Sequence, residues 1–162
     1  MTSAQPYLFP AALQATGTSG TPFEAVVQLA DLPVGSMTRV TRGDLDVLIA
    51  HTDVGLVAIE DRCPHMAAPL SVGKLDGCVL TCPLHRGSFD LRDGEVVTFP
   101  TTGGLNADGE YQPTWTPPGR EPKPPLKPSD PKSQARALTR VRRMRYFPLR
   151  IRDGAVEISF PR

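Results

Sequence analysis

Two short stretches hold two of the chain's three cysteines and two of its three histidines: DRCPHMAAP at 61–69 and TCPLHRGSFD at 81–90. Thiolate and imidazole are soft to borderline ligands, so Cys63, His65, Cys82 and His85 together suit zinc, copper or an iron–sulfur centre. Spacing separates these. Structural zinc sites commonly take paired ligands two to four residues apart on a knuckle and a second pair on a helix. Here the pairs are Cys63-Pro64-His65 and Cys82-Pro83-Leu84-His85, with sixteen residues between His65 and Cys82. A one-residue gap filled by proline holds the backbone extended, which hinders two side chains from chelating one small ion. It suits two neighbouring metals, with one ligand given to each.

Strands must position these residues. In LDVLIAH, Leu45, Val47 and Ile49 fall on one face, and GLVAIED, CVLTC and EVVTF alternate in the same way, the period of a half-buried strand. Asp-Gly recurs at Asp76-Gly77, Asp93-Gly94 and Asp153-Gly154 between β-type runs, and this dipeptide suits tight hairpins because it tolerates positive φ. The reading is an antiparallel all-β domain with strands near 23–30, 37–42, 45–51, 55–60, 77–81, 88–91, 95–99, 145–152 and 155–160. Both Cys/His stretches then occupy loops that follow strands, where a scaffold presents functional groups.

Two segments break the pattern. Residues 1–22, rich in Ala, Thr, Ser, Gly and Pro, read as a flexible N-terminal arm preceding a domain over 23–162. Residues 101–131 carry eight of the 18 prolines and form a long insertion that proline keeps out of a sheet interior. It is expected to be a surface excursion rather than a binding lid. Residues 132–152 hold eight basic side chains and no acidic ones, against nine acids and four bases over 44–95. Few aromatics interleave with this run, so it reads as a solvated face or a dock for an acidic protein, and no nucleic-acid partner is expected. Asp130 followed by Pro131 predicts a helix cap, with the helix running to about 143.

With these residues in view, the chain resembles the Rieske proteins, in which two loops each give one cysteine to an inner iron and one histidine to an outer iron of a 2Fe-2S cluster. CPH followed by CPLH, the FDLRDGEVV hairpin and the closing RYFPLRIRDGAVEI carry the resemblance, over roughly 24–100 and 145–160. It implies a base β-sandwich with a small cluster-binding subdomain at about 61–100, the insertion at 101–131 and a closing basic segment and strands at 132–162. It also implies that Cys63 and Cys82 bind the buried iron, that His65 and His85 bind a solvent-facing one, and that both histidines form the docking tip. Gly73 and Gly87 are expected to allow close approach of the chain to the cluster. Respiratory Rieske proteins add a disulfide between the loops and hydroxyl donors to the cluster sulfurs. This chain has no cysteine at 66–69, Leu84 in the second loop, Gly87 near the serine position and Phe89 at the tyrosine position. Fewer donors imply a potential near the bottom of the Rieske range, around −150 mV. Arg86 stands where many relatives have glycine.

No catalytic constellation accompanies the four residues. A terminal oxygenase needs a second iron site of two histidines and a carboxylate, and His51 is the only histidine left over. No GxGxxG fingerprint appears. The expected function is one-electron transfer as a soluble ferredoxin between a reductase and an oxygenase or other oxidoreductase, without a catalytic site of its own. The alternatives are a small Rieske subunit of a larger oxidoreductase and a zinc-stabilised binding module. A net charge of +1, the lack of a long apolar run and a start without a basic, apolar signal imply no membrane insertion and a cytoplasmic location. Cys78 reads as a small buried hydrophobe, His51 as exposed and idle, and Trp115 as an anchor of the insertion on the domain.

Overall fold

The computed structural model describes residues 5–12, 21–125 and 127–161. Twelve strands are found among them: β1 (Phe23–Gln28), β2 (Met37–Arg42), β3 (Leu45–Thr52), β4 (Gly55–Glu60), β5 (Lys74–Asp76), β6 (Val79–Thr81), β7 (Ser88–Asp90), β8 (Val96–Thr98), β9 (Gly104–Leu105), β10 (Tyr111–Gln112), β11 (Leu149–Arg152) and β12 (Ala155–Ser159). They make four antiparallel sheets, β1-β12-β11, β2-β3-β4, β5-β6-β7-β8 and the small β9-β10 hairpin. The all-β antiparallel expectation holds.

The β2-β3-β4 sheet sits at the centre. Val47, Ile49, Leu56 and Ala58 pack against Leu149, Val156 and Ile158 of the β1-β12-β11 sheet. Leu48, Ala50, Val57 and Ile59 face the other way and pack with Leu70, Leu80, Phe89, Leu91 and the two cysteines Cys63 and Cys82. β3 and β4 are therefore covered on both faces, not half-buried as expected. The apolar run VLIA at 47–50 leaves neither face polar, the pattern of a strand enclosed by two layers. Fully burying each Leu or Ile stabilises by about 1.5–3 kcal/mol, so this wall is a firm base for the loops beside it.

Of the three Asp-Gly turns expected, one forms as read, while Asp76 is the last residue of β5 and Asp93-Gly94 lies within the longer connection between β7 and β8. Asp153 and Gly154, between Arg152 and Ala155 of paired β11 and β12, have φ of 50° and 78°, the positive pair that a type I′ turn requires. Several strand limits differ from expectation. β1 ends at Gln28 because Leu29–Asp31 tightens into a 3₁₀ turn. A strand missing from the sequence reading, β5, pairs with β6. β11 begins at Leu149, since Pro148 has no N–H and the residues before it meet β4 only through a single bridge, Ile59 to Tyr146.

Part of the expected flexible arm is docked. Leu8 bridges to Leu56, Phe9 is buried, and the Leu56 N–H donates to the Tyr7 carbonyl at 2.7 Å. A Cβ added at Gly55 would lie 2.0 Å from that carbonyl oxygen, so β4 leaves room for the arm by using glycine there. Residues 1–4 and 13–20 lie outside the described residues.

The proline-rich stretch also has structure. It contains the β9-β10 hairpin, and the Trp115 indole N–H donates to the Phe99 carbonyl, anchoring it on the domain as expected. The helix that follows, α1 (Pro131–Leu138), starts as read: the Asp130 side chain accepts from the Lys132 N–H and Pro131 stands in the first turn. It ends before 143, because Thr139 turns extended and Val141 N–H donates to Leu105 O, giving the chain to β9 instead of another helical turn.

Candidate metal centre

Loop 61–69 leaves β4, and loop 82–87 joins β6 to β7. Both use one backbone scheme. In the first, Ala67 N–H donates to Cys63 O (2.9 Å) and Cys63 N–H donates to Ala68 O (2.7 Å). In the second, Arg86 N–H donates to Cys82 O (3.2 Å) and Cys82 N–H donates to Gly87 O (2.8 Å). Ala67 and Arg86, each four residues after its cysteine, take left-handed φ of 58° and 57°. Tight closure thus turns the N–H groups of His65 and Met66 onto the Cys63 sulfur, and those of Leu84 and His85 onto the Cys82 sulfur.

The scaffold brings like with like. Cys63 and Cys82, 5% and 2% exposed, hydrogen-bond through their thiols inside the core. The Cys63 thiol is pushed up by that bond and by burial, while Cys82 is pulled down to about 6 by the bond from Cys63, helped by the Leu84 and His85 N–H groups. The pair therefore gives up one proton readily and shares the other. His65 and His85 meet edge to face with ring centroids 4.9 Å apart. Burial first, and then the proximity of His85, holds His65 down at about 4; burial, Arg136 and Lys123 also lower His85. Both imidazoles are thus held toward the neutral form that ligates metals. Among the described residues, no group of three or more His, Cys, Asp or Glu converges as a single ion would need.

Two expectations need correction. His65 is not solvent-facing: it is 7% exposed, and Thr102 Oγ1 lies 3.1 Å from its Nε2. His85 is half-buried beside exposed Pro83, Leu84 and Arg86. Gly73 and Gly87 also admit close approach of other parts of the chain. A Cβ on Gly73 would meet Thr81 O at 2.3 Å, and one on Gly87 would meet the Pro100 ring at 2.9 Å.

Other residues singled out in the sequence lie apart from the four. His51 is not idle, since its Nδ1 lies 2.6 Å from Leu32 O. Cys78 is partly exposed beside Asp90, and its thiol is pushed up by burial and by Asp90. Sequence reasoning missed Thr102 and Asp61. Asp61, 2% exposed, accepts from Ser71 N–H at 2.7 Å and Ser71 Oγ at 2.5 Å, with Arg39 Nε at 3.4 Å. This strut ties the start of the first loop to the 3₁₀ turn Leu70–Val72. An acid two residues before a cysteine gave no local signal of it, and Thr102 lies 37 positions from His65.

A β scaffold that holds two thiols and two imidazoles in like pairs has the character of an iron–sulfur electron-transfer protein. The description "Rieske [2Fe-2S] domain" matches residues 23–109, and the chain belongs to that family. It is 37% identical over 81 residues to the 3-phenylpropionate/cinnamic acid dioxygenase ferredoxin subunit of Photorhabdus laumondii, a match covering 49% of this chain and 76% of the relative. The subunit of the same name from Shigella flexneri serotype 5b is 40% identical over 81 residues, covering 48% of this chain and 74% of that one. Among solved structures, the ferredoxin of carbazole 1,9a-dioxygenase from Nocardioides aromaticivorans IC177 has the same fold, with a TM-score of 0.58 at 17% identity over 87% of this chain and all of that one. The cofactor is one Rieske-type 2Fe-2S cluster. The residues present fit it: a buried thiol pair of which Cys82 is readily deprotonated, N–H groups aimed at each sulfur, and two imidazoles held toward the neutral form.

Proposed function

We propose that the chain is the one-electron carrier of an oxygenase system, a Rieske ferredoxin that takes an electron from a reductase and passes it to an oxygenase. Cys63 and Cys82 hold the inner iron, and His65 and His85 the outer one. When bound, the cluster supplies a single reversible one-electron couple. The protein's residues do the rest. Core packing around Cys63 and Cys82 fixes the sulfur pair, the loop N–H groups offset thiolate charge, and the half-buried His85 leads toward the surface. The observation that carries the reading is the sorting of four donors into a buried sulfur pair and an adjoining imidazole pair whose rings meet edge to face. The names of the relatives, ferredoxin subunits of dioxygenases, support the oxygenase as acceptor over a larger multi-subunit oxidoreductase.

The cluster-binding part is assigned to 61–100 within a domain over 23–162. A cytoplasmic location is consistent with three free cysteines and with the absence, among the described residues, of a helix long and apolar enough to cross a membrane. The test is a redox titration of the purified holoprotein followed by electron paramagnetic resonance. A one-electron couple near about −150 mV is expected; a potential near that of an all-cysteine ferredoxin, about −400 mV, would contradict the Cys/His assignment.

A further inference from the structure

The match to the Rieske domain ends at residue 109, yet the chain beyond it reaches back to the cysteine loops. Arg142 N–H donates to Pro64 O, inside the first Cys/His pair, at 2.9 Å. Val141 beside it is 1% exposed and packs in the same core cluster as Cys63 and Cys82. The other end of the insertion reaches both loops as well. Thr101 N–H donates to His85 O at 2.9 Å, and Thr102 Oγ1 lies 3.1 Å from His65 Nε2.

A glycine pair lets these segments cross. Gly103 and Gly104 have φ of 67° and 136°. A Cβ on Gly103 would meet Gln112 O at 2.8 Å and Thr114 N at 2.9 Å, and one on Gly104 would meet Thr139 O at 2.4 Å. Residues 99–105 therefore fit between residues 112–114 and the end of α1 only because both positions are glycine. The crossing is fastened by Leu105 N–H donating to Thr139 O and Val141 N–H to Leu105 O, both at 2.9 Å, and by the Trp115 indole N–H on Phe99 O. The insertion, expected to be a surface excursion, thus closes on itself, and its two ends bear on both loops.

We propose that residues 99–105 and 139–142, locked together at Gly103-Gly104, are a clamp that holds the two loops on the cluster and sets how fast the cluster is lost, with Thr102 as the positioning residue for the His65 ring. The proposal rests on the assignment of the four Cys and His residues as cluster ligands. A loop that opens locally exposes its ligands to water and chelators, and bonds from a distant segment raise the cost of that opening while leaving the ligands unchanged. Because the two ends of the insertion are tied to each other, loosening the crossing frees both loops at once.

The test follows the loss of visible colour from oxidised holoprotein in excess EDTA, with Tm recorded for every variant. Gly104→Ala, which forces β9 away from Thr139, is expected to speed the loss at least about fivefold. Thr102→Val keeps the side-chain shape without the hydroxyl and should speed it about threefold to fivefold, and Thr102→Ser should restore the wild-type rate. The control is Val156→Ala, buried between the β1-β12-β11 and β2-β3-β4 sheets. It should lower Tm yet leave the rate within about twofold, since the loops open without unfolding the base. Clamp variants that lose colour at the wild-type rate, or no faster than Val156→Ala at an equal fall in Tm, would overturn the clamp. If Gly104→Ala does not fold, the two Thr102 variants decide by the same criteria. Iron content and electron paramagnetic resonance of the starting wild type separate the two levels. A Rieske signal with about two irons keeps the ligand assignment whatever the rates show, whereas a missing signal removes that assignment and the clamp with it.

Discussion

Loops 61–69 and 82–87 share a backbone and differ in their surroundings. Each closes on its cysteine through the same two hydrogen bonds and spends a left-handed residue to do so, Ala67 in one and Arg86 in the other. Yet the first histidine, two residues after its cysteine, is capped by Thr102 and buried, while the second, three residues after its cysteine, stands half-open among exposed neighbours. The first loop is also braced from below by Asp61 and Ser71. A repeated backbone motif thus places a cysteine and a histidine twice, and non-local contacts decide how far each histidine is exposed.

The comparison is broken most severely at the sulfurs. Cys63→Ser and Cys82→Ser are each expected to abolish the cluster, read as loss of bound iron and of visible colour, because both thiols lie in the core with N–H groups arranged for thiolate. If either variant kept full iron, the loops would not be equivalent ligand donors. The histidines come next. His85→Cys and His65→Cys, where the cluster assembles, should both move the potential from about −150 mV toward about −400 mV, since each adds thiolate charge at the outer iron. An unchanged potential in either variant would remove that histidine from the ligand set.

Smaller effects sharpen the structural half. Asp61→Ala leaves the Ser71 N–H without its acceptor beneath the first loop and is expected to cost about 2 kcal/mol, a fall of several degrees in Tm by calorimetry. A change below about 0.5 kcal/mol would mean that the strut does not hold the loop. Smallest are Ala67→Gly and Arg86→Gly. Each relieves a non-glycine residue at positive φ and should stabilise by up to about 1 kcal/mol, by nearly equal amounts in urea unfolding if the loops share one backbone scheme. Opposite signs would contradict that equivalence.

Much of the donor set was legible because it is local. Cys63-Pro64-His65 and Cys82-Pro83-Leu84-His85 carry their chemistry within four residues, and Asp153-Gly154 and Asp130-Pro131 carry their turn and cap within two. The fold class followed from strand alternation, although VLIA at 47–50 marks a doubly covered strand that alternation alone reads as half-buried. What escaped is contact between distant segments: Thr102 on His65, Tyr7 and Phe9 on β4, and Asp61 on Ser71. A threonine, a glycine and an acid are common residues with many uses, so only the folded chain reveals which neighbour each one serves. The two-residue strands β9 and β10 are likewise too short to show a period.

The central claim is that Cys63, His65, Cys82 and His85 ligate one binuclear cluster. Its most direct test is electron paramagnetic resonance of the dithionite-reduced, anaerobically purified protein, with iron and zinc quantified on the same sample. The account predicts about two irons per chain and a reduced-state signal with the low average g value of mixed Cys/His ligation. A colourless, silent protein carrying about one zinc per chain would contradict it.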